Sequence, residues 1–299
     1  MKHSFITYLL VVVSACVCIH THAQVLYEIS GNSTLEKSYL LATNKLINIT
    51  FIDTIPNVFN SFSKCDKVIT EFAFEDYQAI AALRKASLLP DSIQLGAFYT
   101  EEEMTKINQE LLLTLGMGLQ ELGRMKPAYL TELYRTELLK KWLHWDESNS
   151  METFFEQVAQ QQDIPIYPLD DLGETLYMLF DREPFQWQCK ELKKVIDYPD
   201  QEVEQERVIR DLYSMGRLND IAFQVLSPDN ATSISYSDYQ VYAQRNQQWV
   251  KKLKSYLHDG KCFITLNAIY LGGDKGLIAQ LKNAGYRIKP VNKRYIPIK

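Results

Sequence analysis

Lys45 and Glu71 carry titratable groups that could exchange protons if their surroundings shift their pKa values. Lys45 follows the β-type run Ser38-Tyr-Leu-Leu-Ala-Thr-Asn44, and Glu71 closes the apolar run Val68-Ile-Thr-Glu71. A lysine becomes a base when desolvation lowers its pKa, and a carboxylate at the end of an apolar strand needs a partner or water. Tyr270, after Thr265-Leu-Asn-Ala-Ile, brings a hydrogen-bonding hydroxyl but is no ordinary zinc ligand at neutral pH. A catalytic metal takes about three protein donors, most often neutral imidazoles. Beyond residue 23 the histidines are His144, in Trp142-Leu-His-Trp145, and His258, in Leu257-His-Asp-Gly260. The first reads as a helix-end or core-edge histidine and the second as a helix C-terminal cap. A metal would therefore depend on carboxylates such as Glu71 and Asp170.

Other chemistries lack their signatures. Gly272-Gly-Asp-Lys-Gly276 is a glycine-rich strand-to-helix turn, but it has neither the phosphate-loop nor the dinucleotide spacing, so a tight turn accounts for it. There is no Gly-x-Ser-x-Gly and no Cys-x-x-Cys. Tyr236, Tyr239 and Tyr242 recur at helical spacing and read as a packed helix face.

The elements that must position these residues follow from periodicity. Short β-type runs at Val25–Ile29, Tyr39–Thr43 and Val68–Phe72 crowd the N-terminal part. Helical spacing takes over from about 75 to 160, as in Ile107–Leu122 and Tyr129–Leu143. A strand returns at Ile164–Leu169, and residues 171–257 read as helices broken at Pro184, Tyr198-Pro199 and Ser227-Pro-Asp-Asn230. Lys261–Asn267, Lys275–Ala284 and Tyr286–Val291 form a βαβ unit, so part of the sheet must be parallel. The expected fold class is α/β (α+β): a mixed sheet from the N- and C-terminal segments (24–74 and 259–299) with a mainly helical insertion (75–258), all one domain.

At 299 residues and 46% hydrophobic content the chain can bury a full core. Its formal charge of −5 argues against nucleic acid or an anionic membrane as partner. Residues 1–23 read as an export signal: Lys2, the apolar stretch Phe5–Val13, and cleavage after Thr21-His-Ala23, so that the mature chain begins at Gln24. The alternative is a lipoprotein leader, with a lipid anchor on Cys16 of Val13-Ser-Ala-Cys16. The apolar run is short for a transmembrane helix of about 20 residues. An exported protein, periplasmic or extracellular, follows. Cys65, Cys189 and Cys262 remain after the leader, too few for a disulfide framework; buried free thiols are the main reading and one bridge the alternative.

The segments Ser38–Leu46 and Thr265–Leu277 resemble the paired active-site motifs of the TraB/GumN family, which includes the Tiki metalloproteases of animals. Each family motif carries a Gly-x-x-His, whose histidines are understood to hold the catalytic metal. Here they read Ala42-Thr-Asn-Lys45 and Asn267-Ala-Ile-Tyr270, so both histidines are replaced. Val25–Asn32 resembles the family's opening hairpin, Val68–Glu71 its strand ending on an acidic active-site residue, and Lys126-Pro127 its helix entry. Ile164–Asp171 resembles the strand entering the usual Leu-Glu-Thr, with Asp170 for the Glu. Arg245-Asn246 with Trp249 resembles its Arg-Asn helix start, and Leu271 to Val291 its closing loop, helix and strand.

The resemblance implies a polar cleft lined by Lys45, Glu71, Arg245, Asn267 and Tyr270. Lys45 could replace the metal's charge, pair with Glu71, act as a base, or point into solvent from an edge strand. Tyr270 would fill the volume of the imidazole and metal, and Glu71 would pair with Arg245 or sit solvated. The leading expectation is a degenerate metallohydrolase homologue without cofactor that binds a small molecule or peptide, or regulates. The first alternative is an active hydrolase, such as a metal-dependent peptidase with a divalent metal on altered ligands, with catalytic candidates Glu71, Lys45 and Tyr270. The second is a scaffold acting through the helical lobe.

Overall fold

The structure, a computed structural model, describes residues 24–291 without 33, 35, 73–76 and 227–235, and without the side chains of 77–78 and 236–239. The leader reading, the Cys16 anchor, the break at Ser227–Asn230 and the side chains of Tyr236 and Tyr239 lie outside the described residues.

Six strands form one mixed sheet: β1 (Leu26–Gly31), β2 (Ser38–Thr43), β3 (Lys67–Thr70), β4 (Ile166–Pro168), β5 (Cys262–Asn267) and β6 (Tyr286–Pro290), in the order β4-β3-β5-β2-β1-β6. Every residue of β2 is buried, as expected of a strand covered on both faces. In β6 only Tyr286 and Ile288 are buried while Arg287 and Lys289 face out, the period of two of a half-covered edge. β3 pairs in parallel with β4 and β5, and β5 with β2; β1 alone runs against its neighbours β2 and β6. β5 and β6 are not neighbours, because the β1–β2 hairpin lies between them.

The helices are α1 (Val58–Phe62), α2 (Tyr77–Ala86), α3 (Glu101–Leu115), α4 (Leu119–Leu122), α5 (Pro127–Leu143), α6 (Phe154–Gln161), α7 (Leu172–Leu176), α8 (Phe185–Asp197), α9 (Pro199–Ser214), α10 (Leu218–Leu226), α11 (Tyr236–His258) and α12 (Leu277–Asn283). The single helix expected over Ile107–Leu122 is two, since Gly116 takes a left-handed conformation that stops α3. At the other end of α3 Thr100 and Glu103 form a reciprocal capping box. α5 opens with Pro127 at its first turn and ends at a left-handed His144; His258 is the last residue of α11.

Two hydrophobic cores result. The larger joins the sheet to α1, α6, α10, α11 and α12, with Phe62, Phe155 and Phe263 packed ring against ring at 4.7–5.2 Å. The smaller belongs to the lobe, where α3, α5 and α8 bury Ile107, Leu111, Leu130, Tyr134, Cys189 and Leu192. Cys65, Cys189 and Cys262 are free thiols.

Candidate functional site at the strand ends

The four parallel strands β4, β3, β5 and β2 point their C-terminal ends at the same rim of the sheet, where open α/β sheets usually place ligands. Thr43 stands opposite Asn267, so the segments after β2 and β5 leave the rim side by side and carry Lys45 and Tyr270. Pairing of β3 with β4 persists one step beyond the strands: the Leu169 N–H donates to the Thr70 carbonyl and the Asp170 N–H to the Glu71 carbonyl, each at 2.8 Å. Asp171 then caps α7 in a capping box with Glu174. Glu71 and Asp170 are thereby fixed side by side.

α11 crosses this rim and supplies Arg245, Asn246 and Trp249. Arg245 lies well inside α11, not at a helix start as the motif suggested. No Gly or Pro interrupts the run from Tyr236 to His258, so the helix extends upstream of the motif. The Arg245 guanidinium donates to Asp170 Oδ2 from Nε at 2.7 Å and contacts it from Nη2 at 2.5 Å. The Trp249 Nε1–H takes the other oxygen, Oδ1, at 2.5 Å. The guanidinium carbon lies 4.4 Å from the Trp249 ring and 4.6 Å from the Tyr270 ring. Tyr270 in turn stacks on Tyr242 at 5.0 Å and meets Trp249 edge-on at 4.8 Å, while Arg182 lies 5.8 Å from the Tyr242 ring. Asn246 pins the turn by donating to the carbonyls of Tyr270 and Lys275 at 3.0 and 3.1 Å.

The Glu71–Arg245 pair suggested by sequence is therefore a secondary contact. Glu71 Oε2 is 3.7 Å from Arg245 Nη1, beyond hydrogen-bond length, because Asp170 has the fork of the guanidinium. Glu71 Oε1 instead accepts the Asn267 N–H at 2.7 Å. Burial pushes the Glu71 carboxyl up to about 7, against the opposing pull of Arg245 and the Asn267 N–H. Burial also holds the Tyr270 phenol well above its ordinary value, so it stays protonated.

Lys45 takes a different direction. β2 is an interior strand and not an edge, and Lys45, just after it, is half-buried. It makes no ion pair within 4.0 Å with Glu71. Its charge acts on Glu132 of α5, Glu152 before α6 and Glu206 of α9. Desolvation pushes the Glu152 and Glu206 carboxyls up, whereas Glu132 is held below the ordinary value by Arg135 and then Lys45. Asn267 links the Glu71 side of the rim to Glu152, since its Nδ2 donates to Glu152 Oε1 at 3.1 Å while its backbone holds Glu71. Lys45 and Tyr270 thus share a rim but face different partners.

These residues do not suit a metal ion. Both Asp170 oxygens are taken by Arg245 and Trp249, Glu71 accepts a backbone N–H, and Tyr270 is a protonated phenol clamped between rings. Among the described residues no group of three or more His, Cys, Asp or Glu is disposed to hold an ion. Sequence reasoning missed Trp249, Tyr242, Arg182, Glu132, Glu152 and Glu206 as parts of the site. Trp249 carried a signal in its spacing of four from Arg245, which puts both on one helix face; the others had none.

The TraB/PrgY/gumN family model matches residues 25–290. The chain belongs to the TraB/PrgY/gumN family. Family membership thus spans the sheet, the inserted lobe and all of Lys45, Glu71, Asp170, Arg245, Asn267 and Tyr270. No curated protein and no solved structure gives a significant match. No described helix is long and apolar enough to cross a membrane.

Proposed function

We propose that this TraB/PrgY/gumN protein is an exported, degenerate metallohydrolase homologue that acts by binding or regulation through the cleft at the strand ends. The observation that carries the reading is the state of Asp170 and Tyr270. Three of the about four acceptor sites of the Asp170 carboxylate are taken by Arg245 and Trp249, whose donors leave it charge-paired with a guanidinium, and the Tyr270 ring packs against Trp249 beside it. What remains is a rigid polar floor of Glu71, Arg245 and Asn267, walled by Lys45, Glu152 and Arg182, a surface suited to a small polar molecule or a peptide. Export to the periplasm or the extracellular space, with the mature chain starting at Gln24, rests on the leader alone.

The test is thermal unfolding of the chain from Gln24 with EDTA and with Mn²⁺, Co²⁺ or Zn²⁺. Ligand at one hundred times its dissociation constant stabilises by about 2.7 kcal/mol. No cation should shift the midpoint. A shift abolished by Glu71→Ala would overturn the proposal.

A second reading, a hydrolase that uses no metal, has one observation in its favour. A Glu71 carboxyl held at about 7 is suited to exchange protons at neutral pH. Peptide hydrolysis by the mature chain, lost in Glu71→Gln, would establish it.

A further inference from the structure

The Arg245 side chain is only 9% exposed, yet one corner of its guanidinium is unanswered. Nε and Nη2 are committed to Asp170, whereas Nη1 has no hydrogen-bond acceptor among the described residues; Glu71 Oε2 lies 3.7 Å away, beyond hydrogen-bond length. Glu71 is half answered in the same way. Its Oε1 takes the Asn267 N–H at 2.7 Å, and no hydrogen bond from the described residues reaches Oε2. We propose that this donor and acceptor bind a primary carboxamide, its carbonyl accepting from Arg245 Nη1 and its NH2 donating to Glu71 Oε2. The inference rests on the reading of the cleft as a binding site and names the chemical class that the cleft takes.

The separation selects the ligand. A carboxamide carries its oxygen and nitrogen about 2.3 Å apart on one carbon, with acceptor and donor on a single edge. Two hydrogen bonds of about 2.9 Å, leaning outward by roughly 15°, bring that edge onto atoms 3.7 Å apart. A single bridging oxygen, as in water or an alcohol, spans about 4.6 Å at a tetrahedral angle, so it meets the same two atoms only when bent. A trans peptide bond points its N–H and C=O to opposite sides and cannot present both to the pair. A carboxylate has no donor for Glu71, and an ammonium has no acceptor for Arg245.

Both atoms are held in place before any ligand arrives. The guanidinium plane is set by Asp170 at its edge and by the Trp249 and Tyr270 rings at 4.4 and 4.6 Å. The Glu71 carboxyl is set by the Asn267 N–H, and the Glu71 carbonyl accepts the Asp170 N–H at 2.8 Å. A site fixed in this way loses little on binding a matching group, and a mismatched one leaves a buried donor or acceptor without a partner.

The experiment titrates the chain from Gln24 with benzamide, N-methylbenzamide, benzoate and benzyl alcohol, followed by proton–nitrogen correlation NMR of its four tryptophan indoles. The Trp249 signal, assigned as the one absent from Trp249→Phe, reports on the Arg245 corner, and the other three are controls for non-specific binding. At about pH 8.5 Glu71 is ionised, its carboxyl titrating at about 7. Benzamide should shift the Trp249 signal saturably, and the other three compounds should bind at least about tenfold more weakly. Glu71→Gln keeps an oxygen on the Asn267 N–H and turns an NH2 toward Arg245, so the pair becomes two donors and the order should reverse, benzoate above benzamide. A capped glutamine beside benzamide tells a peptide side chain from a free aromatic amide as the source. No saturable shift with benzamide overturns the proposal, as does equal binding of N-methylbenzamide or benzyl alcohol, or an unchanged order in Glu71→Gln. If that variant fails to fold, the order in the unaltered chain still decides. All titrations contain EDTA, so metal binding, which tests the proposed function, is read separately.

Discussion

Glu71 is the residue whose charge costs the fold most plainly. Its carboxyl is held at about 7 against an ordinary 4.5, chiefly by burial. A carboxyl raised in the folded state adds stability when protonated, and that contribution is lost as pH rises from the ordinary value through about 7. Glu71→Gln should therefore flatten the fall in unfolding free energy over this window and stabilise the protein above it by up to about 3 kcal/mol, measured by urea titration at several pH values. Asp170 behaves oppositely: its removal strands the Arg245 guanidinium and the Trp249 N–H in the interior. Asp170→Ala should cost about 3–5 kcal/mol in the same titration, and a cost near zero would show that the Arg245 cluster is not what holds α11 to the rim. Glu71 was legible in the sequence because it closes an apolar strand. Its looseness from Arg245 was not, since the preference for Asp170 depends on a pairing 75 residues away that leaves no local pattern.

The six strands were legible because each is an apolar or alternating run bounded by turn residues, and their observed limits lie within about three residues of those expected. What the runs could not show is the order of the strands. β5, α12 and β6 read as a compact βαβ unit, yet the β1–β2 hairpin separates the two strands, because β2 finds its parallel partner in β5 and β1 finds β6. Arg245 looked like a helix start because its motif was read without the uninterrupted turns that precede it. The glycine turn after β5 has a packing reason rather than a phosphate: a Cβ at Gly272 would lie 2.0 Å from the Leu218 carbonyl oxygen at the start of α10. Gly272→Ala should thus force the turn off α10 and destabilise by about 1–3 kcal/mol, read by thermal unfolding. An unchanged midpoint would mean that α10 yields freely.

The whole molecule is a sheet with a polar rim and a lobe that carries its own core, joined by charged groups and by α9. That division was visible in the change of period between residues 72 and 75, whereas the crossing of α9 between cores was not, because its apolar residues read as one helical stripe. Exposed apolar side chains on the lobe, among them Leu113, Trp142 and Trp187, leave room for the scaffold alternative alongside the cleft. The central claim is that Arg245, Trp249 and Tyr270 occupy and satisfy the site where the family resemblance would put a metal. The measurement that tests it most directly is elemental analysis of the chain from Gln24, purified without chelator at neutral pH. The account predicts Mn, Co, Zn and Fe each far below one equivalent; a first-row metal at about one equivalent, lost in Glu71→Ala, would contradict it.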